Sequence, residues 1–206
     1  MGRYLGSKNK IARREGEDLG LKTAGTKTHA RLLRRLKIKP GVHGQKMRGK
    51  LSDYGKQLRE KQKVKRIYGI IERQFRKYYE KAARFRGVTG DMLLQILERR
   101  LDNVIYRLGF SPTRALSRQL VGHGHVLINS KKVDIPSYQV TIGDIISLRS
   151  KALKIPAVAS VLGEKALTVP SWLERKAAVG RVVSLPKRED IKENINEQLI
   201  IEFYSR

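Results

Sequence analysis

The sequence predicts an α+β protein in three parts. These are a basic N-terminal arm (1–50), a helical domain (51–90) and a mixed domain (91–186) with helices and a small antiparallel sheet, followed by a C-terminal segment (187–206). Three observations support this division. Residues 1–90 hold 27 lysines and arginines against 7 acidic residues. In the middle of the chain, apolar side chains recur every three or four residues, which is the period of a helix. Further on, short apolar runs alternate with turn residues, as in antiparallel strands.

The composition fits a folded and strongly basic protein. The net charge is +26 over 206 residues, and 40% of the residues are hydrophobic, enough to bury a core. Cations that displace counterions from phosphates gain salt-dependent free energy, so this charge predicts a nucleic-acid partner. Solubility alone would need far less charge. A membrane surface would need an amphipathic helix with a clean apolar face or a lipid anchor, and the N-terminus has neither.

Several classes of function are excluded by what the sequence lacks. Because there is no cysteine, we expect no thiol catalysis, disulfide or thiolate metal site. The longest nearly apolar run, 155–163, contains a proline and is too short to span a bilayer, and the N-terminus has no signal-peptide core. No Walker loop, nucleophile elbow, dinucleotide fingerprint or paired-acid site is present. We therefore predict no enzyme, no cofactor, no small-molecule substrate and no membrane partner.

Glycines and a proline interrupt the N-terminal arm throughout its length. The pattern predicts an extended segment, ordered mainly by its partner, with one short helix around 30–36. The loop 41–49 is rich in glycine and basic residues. Because no strand precedes it, we interpret it as a flexible phosphate-contacting loop rather than a nucleotide site.

The helical domain begins at a recognisable cap. Ser52 is a typical N-cap residue, and Asp53 in the first turn favours the helix dipole. The apolar residues at 67, 71, 75, 78, 82 and 85 follow one helix face, while basic residues occupy the others. This predicts a helical hairpin with one side on a core and another side on phosphates.

Two helices open the mixed domain. The first is predicted from Asp91, capped by Thr89, to Gly109, with Arg100, Asn103 and Arg107 along a second stripe. The second is predicted to start at Ser111–Pro112, a hydroxyl cap followed by proline, and to run to about residue 121. It carries Arg114 and Arg118 one turn apart, which repel each other unless a phosphate lies between them.

Strands and a final helix follow. Residues 125–129 and 131–133 predict a hairpin around Asn129–Ser130, and 139–142, 145–148 and 181–185 predict further strands. We expect a helical turn at 157–162 and Trp172 in the core. A short helix over 197–203, capped by Asn196, closes the chain.

Two groups of residues leave alternatives open. His123 and His125 have no carboxylate or cysteine at ligand spacing, so zinc is not expected, and they are either RNA contacts or core histidines. Tyrosines lie between the basic residues of the N-terminal part, where bases could stack on them. Core packing is the competing interpretation, and it fits Tyr68 and Tyr78 best.

The chain resembles a known family along essentially its whole length. Residues 100–110, 114–115, 118–121 and 123–129 look like the S-four RNA-binding domain, of the alpha-L type. Residues 51–63, 66–69, 72–75 and 196–206 resemble the helical domain and end of the bacterial-type small-subunit ribosomal protein S-four family. Residues 3–4, 13–16 and 41–44 match the N-terminal arm of that family. The resemblance implies that residues 187–206 return to the helical domain and complete it.

The resemblance implies a structural protein of the small ribosomal subunit that binds ribosomal RNA and nucleates assembly of the subunit body. It implies a position near the channel through which mRNA enters, contact with ribosomal protein S-five, and a role in translational accuracy with ribosomal protein S-twelve. Some relatives repress their own messenger. Many hold a zinc with four cysteines in the arm. Here Asn9 and Ala12 stand where the first pair would be, so we predict the zinc-free form, with no metal.

Residues with a donor or a cation in the matching segments or close to them are the predicted RNA contacts. In the arm and the helical domain they are Arg3, Tyr4, Lys8, Arg13, Arg14, Arg48, Lys50, Ser52, Tyr54, Gln57, Arg59, Lys63, Arg66 and Arg73. In the mixed domain they are Arg100, Arg107, Ser111, Thr113, Arg114, Arg118, Gln119, His123, His125, Asn129, Lys131 and Lys132. We expect them to match the shape of an RNA junction rather than to read base edges.

Two other functions compete with this interpretation. An RNA-modifying enzyme that uses an S-four domain for delivery would need a large catalytic domain, and too few residues follow the mixed domain to form one. A free regulator would not need the long basic arm. We therefore expect a ribosomal protein of the bacterial cytoplasm, with an organellar ribosome as the alternative.

Overall fold

The computed structural model describes residue 4 and residues 6–46, 49–163 and 169–205. The chain forms two compact units, unit 1 (1–90 and 193–206) and unit 2 (91–192). The helices and strands in chain order are α1 Lys8–Glu15, α2 Lys27–Arg34, α3 Asp53–Ile67, α4 Glu72–Ala83, α5 Thr89–Glu98, α6 Leu101–Arg107, α7 Arg114–Gly122, β1 Val126–Ile128, β2 Lys131–Lys132, β3 Ile145–Leu148, α8 Ser150–Leu153, α9 Pro156–Gly163, β4 Leu173–Lys176, β5 Val179–Val182 and α10 Glu197–Tyr204. This architecture confirms the α+β class.

The helices α3 and α4 of unit 1 are two separate elements. Ser52 caps α3 as expected, since its Oγ accepts a hydrogen bond from the Gly55 amide at 3.2 Å. The single apolar face predicted across 67–85 is wrong, because the chain turns between the helices at Gly69, whose φ is +64°. Ile67 and Phe75 are nevertheless both buried, so two helices supply the apolar stripe that the pattern assigned to one.

The N-terminal segment is not extended where the structure describes it. Helix α1 buries Ile11 and Ala12, and its last residue, Glu15, forms ion pairs with Arg66 and Arg59 of α3. The expected short helix is α2, which starts earlier than predicted because Thr26 caps it. Helix α1 carries only two buried residues, too few for a visible period, so its packing on α3 could not be seen in the sequence.

The C-terminal helix α10 completes unit 1. Asn196 caps it, accepting a hydrogen bond from the Leu199 amide at 3.3 Å, as the sequence predicts. Two hydrogen bonds tie this end of the chain to α3: Gln57 Nε2 donates to Glu202 at 3.0 Å, and the Asn196 amide donates to Glu60 at 2.9 Å. The helical unit is therefore assembled from both ends of the sequence.

A polar cluster lies between α3, α4 and α10. The buried Lys61 ammonium donates to Glu72 Oε1 at 2.7 Å and lies 4.2 Å from the centroid of the Phe203 ring. The Tyr204 hydroxyl donates to the same Glu72 oxygen at 2.7 Å, and Lys65 reaches the other oxygen at 3.0 Å. Burial and the hydrogen bond to Glu72 raise the pKa of the Tyr204 phenol far above its ordinary value. Glu72 thus connects all three helices.

Glu72 is expected to make unit 1 sensitive to acid. Burial alone would raise the pKa of its carboxyl, but hydrogen bonds from Lys61, Tyr204 and Lys65 outweigh burial and lower that pKa below 4.5. A carboxylate with a lowered pKa stabilises the fold above its unfolded pKa and loses this contribution as the pH falls through the folded one. We expect Glu72→Gln to flatten the fall of the unfolding free energy between pH 5 and pH 3, by at most about 1 kcal/mol because the side chain is partly solvated.

Urea unfolding at several pH values measures this effect. The matched control is Glu80→Gln on the same helix, where the carboxylate is exposed and forms only a surface pair with Arg76. That variant is expected to keep the wild-type pH dependence. A Glu72→Gln protein that loses stability in acid as steeply as the wild type would show that the cluster does not carry the pH dependence.

The helices of unit 2 depart from the sequence in two places. The predicted helix from 91 to 109 is broken before Leu101, because Arg100 has an extended backbone and pairs with Gln139 in an isolated bridge. The second departure is the residue that caps α7. Thr113, not Ser111, caps α7, with Thr113 Oγ1 accepting from the Leu116 amide at 3.3 Å. The first correction comes from the pairing of Arg100 with a residue distant in sequence, and the second from hydrogen bonds inside the turn. Hydrophobic periodicity reports neither kind of contact.

The sheet of unit 2 has five antiparallel strands in the order β2-β1-β3-β5-β4. The hairpin between β1 and β2 turns at Asn129 and Ser130, which have φ values of 49° and 67°, as the predicted tight turn requires. The strand expected at 139–142 is absent and reduces to the bridge at Gln139. Strand β4 was not predicted, since its four residues lack a clean alternation of apolar and polar side chains.

The core of unit 2 lies between the sheet and the helix pair α6–α7. Trp172 is buried, as expected, among residues such as Leu108 and Phe110 of the α6 end and Val126 and Ile146 of the sheet. This packing gives the pair α6–α7 and the turn that follows it a fixed framework.

Candidate RNA interface

Arg100 lies inside unit 2. Its side chain is 0% exposed, and it forms two hydrogen bonds with the Asp102 carboxylate, from Nε at 3.1 Å and from Nη2 at 2.8 Å. A buried guanidinium has to be paired, and Asp102 provides that pairing. This placement supports a role in fixing the start of α6 rather than direct contact with RNA.

A second carboxylate organises the outer end of the helix pair. Glu98 is 1% exposed and receives Arg107 at both oxygens, from Nε at 2.9 Å and from Nη2 at 2.7 Å. Asn103 donates to Glu98 Oε2 at 2.8 Å and accepts from Arg114 Nε at 2.8 Å. The Arg114 guanidinium lies 4.4 Å from the centroid of the Tyr106 ring. Hydrogen bonds and stacking therefore fix the position of Arg114.

The arginine cluster consists of Arg100, Arg107, Arg114 and Arg118 with the carboxylates of Glu98 and Asp102. Arg118 approaches Asp102 at 3.7 Å, and its side chain is 11% exposed. Four guanidiniums and two carboxylates give these six residues a formal charge of +2. The cluster therefore carries a net positive charge although its arginines are largely covered.

Ser111 and Thr113 are buried in the turn between α6 and α7. Ser111 Oγ donates to the Thr113 carbonyl at 3.1 Å and lies 2.6 Å from Ser117 Oγ. Thr113 caps α7. Their hydroxyl groups shape the turn, whereas Gln119 further along α7 is exposed.

A group of lysine, arginine and histidine side chains lies where α7 meets the sheet, and all of them except the half-buried His125 are exposed. This turn cluster comprises His123, His125, Lys131, Lys132 and Arg149. The two histidine rings are 6.2 Å apart. The Arg149 guanidinium donates to the Gly124 carbonyl at 3.4 Å, and the Arg149 amide donates to the His125 carbonyl at 2.9 Å.

Gly124 brings the turn cluster together. Its φ is +68°, and a Cβ built at this position would lie only 3.0 Å from the Lys132 ammonium. Lys132, at the end of β2, and Arg149, which directly follows β3, thus both approach Gly124. Arg149 was not predicted, because it comes 25 residues after Gly124 in the chain and only the pairing of β1 with β3 brings it there.

Asn129 links the turn between β1 and β2 to the start of β3. Its amide donates to Asp144 Oδ1 at 2.9 Å, and its Oδ1 accepts from the Ile145 amide at 3.0 Å. Although Asn129 is exposed, its side chain is engaged in fixing the hairpin. The carboxylate of Asp144 is in turn buried, so it leaves the turn cluster positive.

The basic residues of α3 face acidic partners inside unit 1. Arg66 and Arg59 pair with Glu15, and Lys63 pairs with Glu60 at 2.9 Å and with Glu17 at 3.5 Å. Burial lowers the pKa of the Arg66 guanidinium, and the nearby charge of Arg14 lowers it further. These side chains are held by the protein itself.

Helix α4 and its C-cap residue, Arg84, carry a row of exposed cations. Arg73, Lys77, Lys81 and Arg84 follow one stripe of the helix and are all exposed. No ion pair is seen for these four within the described part of the chain, whereas Arg76 pairs with Glu80 at 3.1 Å. Successive members four residues apart are separated by about 6 Å along the axis. The sequence predicted that the basic side of this helix faces phosphates, and of this α4 stripe it named Arg73 as an individual RNA contact.

The other predicted contacts of unit 1 have mixed surroundings. Tyr4, Arg14, Lys50, Ser52 and Tyr54 are exposed, and the Tyr54 ring lies 5.7 Å from that of Phe203. Two of the predicted residues, Arg3 and Arg48, lie outside the described residues.

Three more predicted contacts are held by the protein. Arg13 donates to the Ile38 carbonyl at 2.9 Å and to the Lys39 carbonyl at 3.2 Å. Gln57 is buried against α10, and Lys8 is partly buried. Arg13 thus ties α1 to the segment after α2.

Among the described residues, no group of three or more histidine, aspartate or glutamate side chains is arranged to hold a metal ion. None of the described helices combines the length and the apolar character needed to cross a bilayer.

The structure combines exposed cations, on a hairpin and on a helix, with carboxylates that are buried. This combination is typical of nucleic-acid-binding proteins. Comparison with known proteins agrees with this class. The family model described as "Ribosomal protein S4/S9 N-terminal domain" matches residues 3–98, and the "S4 domain" model matches residues 99–146.

Curated relatives match the chain over its full length. It is 50% identical over 211 residues to the small ribosomal subunit protein uS4 of Hahella chejuensis, and 53% identical over 209 residues to that of Citrifermentans bemidjiense. It is 52% identical over 208 residues to that of a Thermoanaerobacter species. Each match covers 100% of both chains.

The chain belongs to the family of the small ribosomal subunit protein uS4, the universal S-four protein. The relatives named above are bacterial structural proteins of the ribosome and not enzymes. The family relationship confirms the predicted resemblance, and it rules out the RNA-modifying enzyme considered from the sequence.

Proposed function

We propose that this protein binds small-subunit ribosomal RNA directly, as a primary binder, through two surfaces. One is the turn cluster of unit 2 with the adjoining arginine cluster, and the other is the α4 stripe of unit 1. The observation that carries this proposal is the convergence of Lys132 and Arg149 on Gly124, because it concentrates exposed positive charge at a rigid turn. Such a site suits a phosphate backbone of fixed shape.

The predicted contacts divide into two roles under this proposal. Exposed residues such as Gln119, His123 and Lys131 touch RNA. Buried residues such as Arg100 and Thr113 keep the contacting residues in position. The buried residues then affect RNA affinity by positioning the contacting side chains, and the exposed residues affect it by contacting RNA directly.

Of the two helices of unit 1 that the sequence assigned to RNA, α3 and α4, we retain α4 as the contact. The sequence assigned Arg59, Lys63 and Arg66 to RNA, but acidic partners already hold their charges. The α4 stripe offers exposed cations at regular spacing instead. An RNA strand along this stripe would exchange counterions for lysines and arginines without breaking an ion pair of the fold.

The wider role follows from family membership and from the resemblance described above. We infer that the protein joins the RNA early and nucleates assembly of the subunit body in the bacterial cytoplasm. We further infer a position near the channel through which mRNA enters, contact with mRNA there and with ribosomal protein S-five, and a contribution to translational accuracy. The hydrophobic core of unit 2 supports early binding, since that unit can present a folded surface before other proteins arrive.

Binding of the full-length chain to ribosomal RNA tests the proposal. We expect it to bind a fragment of small-subunit ribosomal RNA at least about 1,000-fold more tightly than a random RNA of equal length near physiological salt. The logarithm of the affinity should fall steeply with the logarithm of the salt concentration. Hydroxyl-radical footprinting on the fragment should show separate protections for the two surfaces. Equal affinity for both RNAs would refute the proposed function.

A further inference from the structure

We propose that Glu98 is a positioning residue of the RNA interface, acting directly on Arg107 and through Asn103 on Arg114. The inference rests on the proposed function. It names a residue of the interface that a search of the sequence for basic residues would miss. An acidic side chain is expected to oppose binding of a polyanion. The burial of Glu98 and its contacts with Arg107 and Asn103 indicate instead that it promotes binding.

The first step of the argument is the geometry of Glu98. Its carboxylate is almost fully buried, and each oxygen accepts a hydrogen bond from Arg107, at 2.9 Å and 2.7 Å. A bidentate arrangement of this kind fixes the plane of the guanidinium as well as its position. The Arg107 side chain remains 11% exposed, so a fixed cation reaches the surface beside α7.

The second step is the relay through Asn103. The Asn103 Nδ2 group donates to Glu98 Oε2 at 2.8 Å and to the Glu98 backbone carbonyl at 3.0 Å, and Asn103 Oδ1 accepts from Arg114 Nε at 2.8 Å. Because both Glu98 oxygens can only accept, they orient the Asn103 amide so that its oxygen faces Arg114. The Tyr106 ring packs against the same guanidinium. The side chain of Arg114 is therefore restrained on two sides before any RNA arrives.

The third step is the cost of ordering. A free arginine loses rotamer freedom when it engages a phosphate, and that loss weakens binding for each side chain immobilised. Arg107 and Arg114 have largely lost this freedom in the folded protein. Glu98 thus promotes binding to an RNA whose phosphates fit the preset positions, and it does nothing for an RNA that does not fit.

Glu98→Gln distinguishes positioning from plain electrostatics, because the two predict opposite signs. The amide keeps the shape but cannot accept both hydrogen bonds from Arg107. We expect affinity for the ribosomal RNA fragment to fall about tenfold, while affinity for random RNA stays equal or rises, since the protein becomes more positive. Glu189→Gln makes the same change in charge at an exposed site, and it should not weaken binding to either RNA.

A second experiment tests the relay without changing the charge. Asn103→Ser removes both ends of the relay and should weaken binding to the ribosomal fragment about fivefold. Arg114→Gln should weaken it by more, and the double variant should bind no more weakly than Arg114→Gln alone, because both changes act on one contact. All proteins are compared well below their thermal unfolding midpoints, so the second experiment decides the matter if Glu98→Gln fails to fold.

The outcomes separate this proposal from the proposed function. Wild-type protein that does not prefer the ribosomal fragment would refute both. A wild type that prefers it, with a Glu98→Gln variant that binds it as tightly or more tightly, would overturn only the positioning role. Additive effects of Asn103→Ser and Arg114→Gln, or an Arg114→Gln variant with unchanged affinity, would overturn it as well.

Discussion

Reversing the charges of Lys132 and Arg149 together is expected to weaken binding of the full-length protein to small-subunit ribosomal RNA about 100-fold near physiological salt. Both side chains are exposed and converge on Gly124, so the double change replaces the centre of the turn cluster with negative charge. Two phosphate contacts are lost. The slope of log affinity against log salt should therefore become shallower by about 1.5.

The matched control is a double reversal elsewhere on unit 2. Lys176 and Lys192 are exposed and lie outside the turn cluster. Their change to glutamate alters the net charge equally, and we expect it to weaken binding less than about tenfold. Filter binding across a salt series measures both variants. Equal losses in the two double variants would mean that net charge, and not the turn cluster, determines affinity.

Glu15→Gln is expected to destabilise unit 1 by about 3 kcal/mol, since it removes one partner of a buried ion pair. The Glu15 side chain is 2% exposed and bridges Arg66 and Arg59 of α3. Burial already disfavours the charge of Arg66, as its lowered pKa shows. Without the carboxylate that guanidinium would stay partly buried and uncompensated, and α1 would lose its main polar contact with α3.

Denaturant unfolding followed by far-ultraviolet circular dichroism measures this loss. Glu17→Gln serves as the control, because its carboxylate is 46% exposed and contacts Lys63 only at 3.5 Å. That change should cost about 0.5 kcal/mol or less. If Glu15→Gln proved as mild as Glu17→Gln, the buried pair would not be what fastens α1 to unit 1.

Local signals account for the parts of the fold that were predicted correctly. Ser52 and Asn196 cap helices because a short polar side chain can bond an amide three residues on, whatever surrounds it. The turn at Asn129 and Ser130 needs only residues that tolerate a positive φ. Family resemblance also follows from sequence alone, since it compares strings of residues.

The errors occurred where distant residues decide the local structure. Arg100 breaks a helical pattern because it pairs with Gln139, and Thr113 replaces Ser111 as the cap because Ser111 bonds within the turn. Helix α1 depends on Glu15 meeting α3. Gln139 and α3 are far from these residues in the chain, and the bonds of Ser111 depend on the shape of the turn, so periodicity and cap preferences were not sufficient.

The sequence by itself determined that this protein is basic, that it is of the α+β class and that it belongs to the S-four family. Charge, period and motif are properties of the chain. Only the tertiary structure decided which cations are exposed: it buried Arg100, paired Arg66 and brought Arg149 to the turn cluster. The physical reason is that availability of a charge depends on its solvation and on its nearest carboxylate, and both are set by packing between segments far apart in the chain.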